Sequence, residues 1–315
     1  MFRERLARQT GDNRLNYAYI SYGTVCLVWG STYLAIRIGV AGLPPALFAG
    51  LRFLAAGFLL FLINRWRGEK TFHDWAAVRT RIVVGILLLF AGNGLVVWAE
   101  EWVSSGTAAL LVATVPLFMA VMDALTPGGK KKTSLLSWMG LAVGFAGVAL
   151  LTGQPHAGAR DERAVAGLLL ASFFWAAGSV YAHRREMTGS ILGGAAVEML
   201  AGGAALSLVG LLTGEAPLFH PNPQGWEALA YLVVFGSLLG YTSYAYALQH
   251  LPAARVATYA YVNPVVAVIL GSLVLHEAFT ARVGLAAAVI LGGVVMVQGA
   301  GWLPVVKQNA WFRRG

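Results

Sequence analysis

The chain reads as ten long apolar runs separated by short polar breaks. Crossing a hydrocarbon core takes about twenty apolar helical residues. Runs of that kind fall at 17–38, 45–64, 81–100, 104–125, 134–152, 163–182, 190–213, 226–248, 253–275 and 281–302. The breaks carry residues that end helices: Pro44-Pro45, Ser104-Ser105, Pro127-Gly128-Gly129, the stretch from Gly153 to Asp161, Gly214 to Gly225, and Leu251-Pro252. Very short turns follow the third and eighth runs, which makes runs three and four, and eight and nine, helical hairpins. The pattern predicts an all-α polytopic membrane protein of ten transmembrane helices.

The pattern also repeats. Residues 27–57 and 173–203 match 146 positions apart, with Trp29 answering Trp175 and Arg52 answering Glu198. A-G-L-R-F-L-A-A-G from Ala49 answers A-A-V-E-M-L-A-G-G from Ala195. At an offset of 148, A-L-Q-H-L-P from Ala247 takes the place of A-E-E-W-V-S from Ala99, and Pro264 matches Pro116. The organisation expected is an N-terminal segment 1–16, a first five-helix repeat 17–152, a connecting loop 153–162, a second repeat 163–302 and a tail 303–315. Two homologous halves in a membrane usually place a translocation site between them.

Composition agrees with a bilayer environment. The chain is 58% hydrophobic and 12% charged, with a mean hydropathy of +0.67. A soluble chain carries roughly 25% charge. The net charge of +9 sits in the connectors, so it speaks for orientation rather than nucleic acid. With the N-terminus inside, 18 Lys and Arg fall on the cytoplasmic side, among them Arg3, Arg65, Arg81, Lys131 and Arg185. Only Arg37, Arg160, Arg163 and Arg282 fall outside, and Arg52 lies within a span. Both termini are therefore expected in the cytoplasm. Five spans per half is odd, so the halves would be inverted repeats. The first apolar run is too long for a signal peptide and reads as a helix. Cys26 is the single cysteine, which leaves no intrachain disulfide and no metal cluster.

The chain resembles the drug/metabolite transporter superfamily, specifically its EamA-type ten-helix permeases. The likeness rests on W-G-S-T-Y-L-A at Trp29, L-R-F-L-A-A-G around Arg52 and T-V-P-L-F at Thr114. Y-V-N-P-V-V-A at Tyr261, His276-Glu277 and the Gly-rich tenth run extend it from about Val25 to Trp302. The first repeat departs from the pattern: Pro127-Gly128-Gly129-Lys130 stands where such repeats usually carry a Gly-Glu pair. Glu277 therefore has no counterpart, and no shared transport role is assigned to it. The resemblance implies secondary transport of small metabolites, often export of amino acids or related compounds, across a bacterial inner membrane.

Charged and polar residues inside apolar runs are the candidates for chemistry. An intramembrane charge normally faces the protein interior or a cavity. Helical rise puts Arg52 and Glu198 at depths differing by roughly 6 Å. One reading makes Arg52 an anchor for a substrate carboxylate and Glu198 a proton or amine partner. The other makes them a structural pair locking the repeats, or leaves Arg52 satisfying carbonyls. Asn93 and Asn263 are intramembrane amides, and Pro116 and Pro264 each remove a backbone donor and loosen a helix. Trp29, Tyr33, Trp98, Trp175, Tyr181, Tyr244 and Tyr259 are aromatic candidates for a cavity lining, joined by Thr114. Tyr17, Tyr22, Trp66 and Trp226 fit an interfacial belt. Gly140, Gly144 and Gly147, and Gly284, Gly292 and Gly293, are spaced for close helix packing.

An intramembrane enzyme would need an acid/base or metal constellation; the chain has no H-E-x-x-H and no Cys–His partnership. Nothing resembles a channel filter. A carrier of nucleotide sugars or organic phosphates would want several intramembrane cations, whereas only Arg52 is on offer. The expectation is a non-enzymatic exporter of amino acids or amphipathic relatives, working by alternating access without a cofactor. Its partners would be the small substrate and the lipid bilayer, with a monomer left open.

Overall fold

The computed structural model describes residues 2–69, 74–125, 135–152, 159–185, 189–220, 222–251 and 256–312. Among them all regular structure is helical. The order is α1 (Phe2–Val40), α2 (Pro45–Trp66), α3 (Trp75–Gly85), a first π-helical segment (Ile86–Asn93) and α4 (Gly94–Ala99). Then come α5 (Ser105–Val112), α6 (Val115–Leu125), α7 (Leu135–Thr152), α8 (Ala159–Arg184) and α9 (Ile191–Leu212). After a 3-10 turn at Ala216–Leu218 follow α10 (Pro223–Tyr231), a second π-helical segment (Leu232–Tyr241), α11 (Thr242–His250), α12 (Tyr259–Leu275) and α13 (Ala281–Phe312).

Among the described residues, seven helical stretches are long and apolar enough to cross a bilayer: Arg14–Val40, Pro45–Trp66, Trp75–Ala99, Ser105–Met122, Glu162–Arg184, Ile191–Leu212 and Pro223–His250. Leu135–Leu150, Tyr259–Leu275 and Ala281–Val297 are shorter apolar helices. The chain is an all-α polytopic membrane protein. Its outward face is apolar, with Leu27, Phe58, Leu212 and Leu273 exposed where lipid tails would lie. Trp66 and Trp75 are exposed at facing ends of α2 and α3, as interfacial anchors are. Tyr22 leaves that belt: it is half-buried, and its hydroxyl pairs with Thr258 Oγ1 at 2.7 Å.

Helix starts follow from capping chemistry. Asp74 Oδ1 accepts from Ala77 N at 2.7 Å, so the third crossing begins at Trp75, six residues before the apolar run suggests. Two other starts are capped by acids from distant sequence. Glu215 accepts from Leu47 N at 2.8 Å and Ala46 N at 3.2 Å. Glu277 accepts from Ser105 N at 2.9 Å and Ser105 Oγ at 2.8 Å. A left-handed residue, His276 at φ 53°, ends α12 and turns Glu277 toward that site. Glu277 thus has a structural task.

The two proline positions behave differently. Between α5 and α6 the helix breaks at Ala113–Thr114, and Pro116 falls in the first turn of α6, where a missing N–H is harmless. Pro264 lies inside α12, which continues on both sides of it. It removes one backbone donor and frees the carbonyl one turn earlier.

Close packing holds the bundle. A lipid tail is as apolar as a leucine, so burial alone does not favour helix over lipid, and backbone approach matters more. Helix α2 lies along α9, and α7 along α13. A Cβ on Gly203 would stand 2.8 Å from the Leu54 nitrogen, and one on Gly140 2.7 Å from the Gly293 oxygen. Gly203→Val should therefore destabilise the detergent-solubilised protein by about 1–3 kcal/mol, read as a lower melting temperature. Ala204→Val, on the exposed face one residue along, should leave the melt unchanged.

Candidate functional site

Four helices bring a cage of aromatic rings together at the centre of the bundle. Trp29 and Tyr33 lie one turn apart on α1, as do Tyr259 and Asn263 on α12, and Trp175 comes from α8. The Trp29 ring meets Trp175 edge-on at 5.4 Å and Tyr259 edge-on at 5.3 Å, and Tyr244 lies 5.0 Å away. These are favoured arrangements for quadrupolar rings. Trp29 Nε1 donates to the Gly236 carbonyl at 3.0 Å. That carbonyl belongs to the second π-helical segment, and a Cβ on Gly240 would stand 2.5 Å from the indole nitrogen. The Asn263 amide donates to the carbonyls of Cys26 (3.0 Å) and Tyr259 (3.3 Å), pinning α12 to α1.

The cavity inside this cage has a volume of about 50 Å³ and is walled by Trp29, Thr32, Tyr33, Arg52, Asn93, Trp175, Tyr259 and Asn263 among others. A space of that size holds a few water molecules. Asn93 closes the first π-helical segment, and its Oδ1 has no hydrogen-bond partner among the described residues.

Arg52 is 4% exposed. Its Nε donates to Ser237 Oγ at 2.9 Å, and its guanidinium lies 4.7 Å from the centre of the Phe53 ring. Room for it depends on Gly236, where a Cβ would stand 2.7 Å from Nη2. Nη1 has no partner, and no carboxylate forms a salt bridge with Arg52 among the described residues. A buried cation held by one hydroxyl is an incomplete anion site.

Glu198 is partnered elsewhere. Its Oε1 accepts from Arg81 Nη1 at 2.7 Å and its Oε2 from Tyr241 Oη at 2.6 Å. Arg52 and Glu198 are thus not a pair. Arg81, counted among the connector cations by sequence, is 6% exposed because its helix starts at Trp75. Its guanidinium rests on Gly194, where a Cβ would lie 2.4 Å from Cζ. The Asp74 cap was the available signal for this longer helix. Arg81, Glu198, Tyr241, Tyr244, His183 and His250 line a cleft of about 670 Å³. Tyr241 also lines the central cavity, so its ring stands between the two spaces. Near the other end of the third crossing, Arg37, Glu101, Asn222 and Glu277 line a second cleft of about 800 Å³.

A cavity in a bundle of apolar helices, with a cleft toward each end of the Trp75–Ala99 crossing, is a layout that suits a carrier. The profile of the EamA-like transporter family matches residues 17–153 and 163–298. The chain belongs to the EamA-like transporter family. This EamA-like chain is 40% identical over 272 residues to the "Uncharacterized inner membrane transporter YedA" of Escherichia coli strain K12, covering 86% of this chain and 87% of that relative. It is 25% identical over 276 residues to the "Uncharacterized transporter YoaV" of Bacillus subtilis strain 168, covering 87% and 94%. It is also 25% identical over 299 residues to the "Probable amino-acid metabolite efflux pump" of Escherichia coli strain K12, covering 90% and 95%. A crystal structure at 20% identity superposes with a TM-score of 0.67, over 89% of this chain and 96% of the other, and carries the fold alone. The EamA-like chain is a small-molecule membrane transporter rather than an enzyme.

Not every residue singled out in the sequence of this transporter reaches the cavity. Trp98 packs on Trp102 at 4.7 Å and over Gly167. Thr114 is fully buried in the break after α5 and donates back to Leu111 O of that helix, 2.6 Å away. Tyr181 sits under Arg185 at 5.3 Å. Tyr244 joins the ring cluster, but it lines the Arg81 cleft, with its hydroxyl 2.9 Å from Ser179 Oγ. Gly236, Ser237, Tyr241 and Thr32 complete the surroundings of Trp29 and Arg52. They escape a reading that searches for charge and deep tryptophans.

Removing one partner of the Arg81–Glu198 pair leaves a buried charge unpaired, which costs about 3–5 kcal/mol. Glu198→Gln should lower the melting temperature in detergent, and Arg81→Met combined with Glu198→Met should recover most of the loss. A double variant as unstable as the single one would place the instability elsewhere.

Proposed function

We propose that this transporter exports a compact zwitterionic metabolite, an amino acid or an amphipathic relative, across a bacterial inner membrane by alternating access. The observation that carries this reading is Arg52: a buried guanidinium with a free Nη1, set in the wall of an aromatic cage. Such a group suits one carboxylate. Asn93 Oδ1 offers an acceptor for an ammonium, and the Trp29, Trp175 and Tyr259 rings suit an apolar body. The efflux-pump name of one relative points the same way. A phosphorylated sugar or nucleotide would bring more negative charge than a single cation offsets, so that carrier type is the second reading.

The architecture behind this reading is ten crossings in two inverted five-helix repeats, 17–152 and 163–302, with the loop 153–162 outside and the segments 1–16 and 303–315 in the cytoplasm. Three features support the duplication. The two π-helical segments occupy equivalent places, in crossings three and eight. Helix α2 packs on its equivalent α9, and α7 on its equivalent α13. In this orientation the Arg81 cleft is the inner vestibule and the Arg37 cleft the outer one. The central cavity lies between the two vestibules, so transport requires Tyr241 to move for entry from inside and the Tyr33–Arg37 region to part for exit.

Liposome uptake of amino acids tests the substrate. Arg52→Gln should raise KM for a carried amino acid by about tenfold or more, the value of one charge-assisted hydrogen bond, while Trp175→Ala and Asn263→Ala should reduce transport. Transport of a phosphorylated sugar with no amino acid carried would overturn the reading and make Arg52 a phosphate anchor. Topology is tested by reporter fusions. Those after Lys132 and Arg185 should report cytoplasm, those after Ala157 and Asn222 the outer side, and a reversal in either pair would refute the inverted arrangement.

A further inference from the structure

Glu100 is an acid that the transport reading does not use. Its side chain has no exposed surface, and neither Oε1 nor Oε2 has a hydrogen-bond donor among the described residues. Glu198, Glu215 and Glu277 all have donors. Glu100 also caps the C-terminal end of α4, the negative end of the helix dipole. Around it stand Tyr33 and Arg37 from α1, Arg52 from α2, its neighbour Glu101, and Glu277 beyond α12. Arg37 directs Nη1 to the main-chain carbonyl of Glu100 and forms no salt bridge with the carboxylate. An ionised carboxylate in this place would have neither water nor a donor, so the carboxyl keeps its proton in the closed protein.

The position gives that proton a meaning. Tyr33 lines the central cavity and Arg37 the outer vestibule. Glu100 is packed among the groups that separate the two spaces, and opening them to one another must uncover it. We propose that Glu100 is a proton-binding site of the outer path: protonated while the path is closed, and releasing its proton to the outer solution when the path opens. The inference rests on alternating access and on the orientation proposed above. The carboxyl O–H breaks, the proton passes to water, and the carboxylate left behind faces Arg37. External acid then holds the outer path shut, and external alkali favours its opening. For one proton, the ratio of open to closed changes by at most about tenfold per pH unit.

The test uses the full-length protein in right-side-out membrane vesicles on a Cys26→Ala background. Ile36→Cys, buried in the cavity wall, reports opening through its labelling by a membrane-impermeant maleimide. Gln224→Cys, exposed in the outer vestibule, corrects for the thiol's own titration. The corrected rate should rise with external pH, by up to tenfold per unit, and then level off. Glu100→Gln, which mimics the protonated form, should hold the rate at its acid value at every pH. Arg37→Gln should move the midpoint to higher pH, because a cation that favours the carboxylate has gone. An unchanged pH profile in Glu100→Gln overturns the proposal. So does a flat profile in the parent that still responds to an amino-acid mixture, which leaves the transport reading standing. A rate that responds to neither overturns both.

Discussion

A polar atom buried in a bilayer has no water to fall back on, so its partner must come from the protein. Most of the organisation described above follows from that constraint. Arg81 reaches Glu198, Arg52 reaches Ser237, and Trp29 reaches the Gly236 carbonyl. Glu215 and Glu277 satisfy helix starts far away in sequence. Each contact crosses from one half of the chain to the other. In water such ties would be marginal, but in lipid they supply much of what tells one helix arrangement from another.

The same constraint explains which side chains sit on glycine. A guanidinium needs space as well as a partner, and both buried arginines find it where a neighbouring helix lacks a Cβ, at Gly236 and Gly194. Glycine in this chain therefore does two jobs. It lets backbones touch along α2 and α9, and it carves pockets for charge.

The apolar runs were legible because helices that face lipid must be apolar, and the inner position of Trp29, Tyr33, Trp175, Tyr259 and Arg52 because polar-tipped or charged side chains deep in such a run turn inward. Arg81 was not, because a cation at the edge of an apolar run looks the same in a connector as in a helix that starts a turn and a half earlier. Asp74 alone distinguishes the two. Trp98 and Tyr181 show the converse limit. They lie nearer the ends of their apolar runs than Trp29 and Trp175 do, and which way a ring faces there is decided by packing against α8 or by Arg185. Hydropathy carries no such information. Glu100 was hidden by its neighbour Glu101 and by the nearby turn, which made both acids look like ordinary ends of a helix.

The wide turns in the crossings Trp75–Ala99 and Pro223–His250 have a geometric effect on everything beyond them. An α-helix advances about 100° per residue, and a stretch bonded i→i+5 takes in one extra residue per turn. The helix past it is therefore clocked differently from the helix before it. In the Pro223–His250 crossing Gly236 presents the wall of the central cavity, while Tyr244 and Leu248, on the far side of the π-helical segment, present the wall of the Arg81 cleft. A single membrane-spanning helix thus offers two unrelated faces to two successive spaces. What a permeating molecule meets along the route is set by helix phase as much as by the residues the span contains.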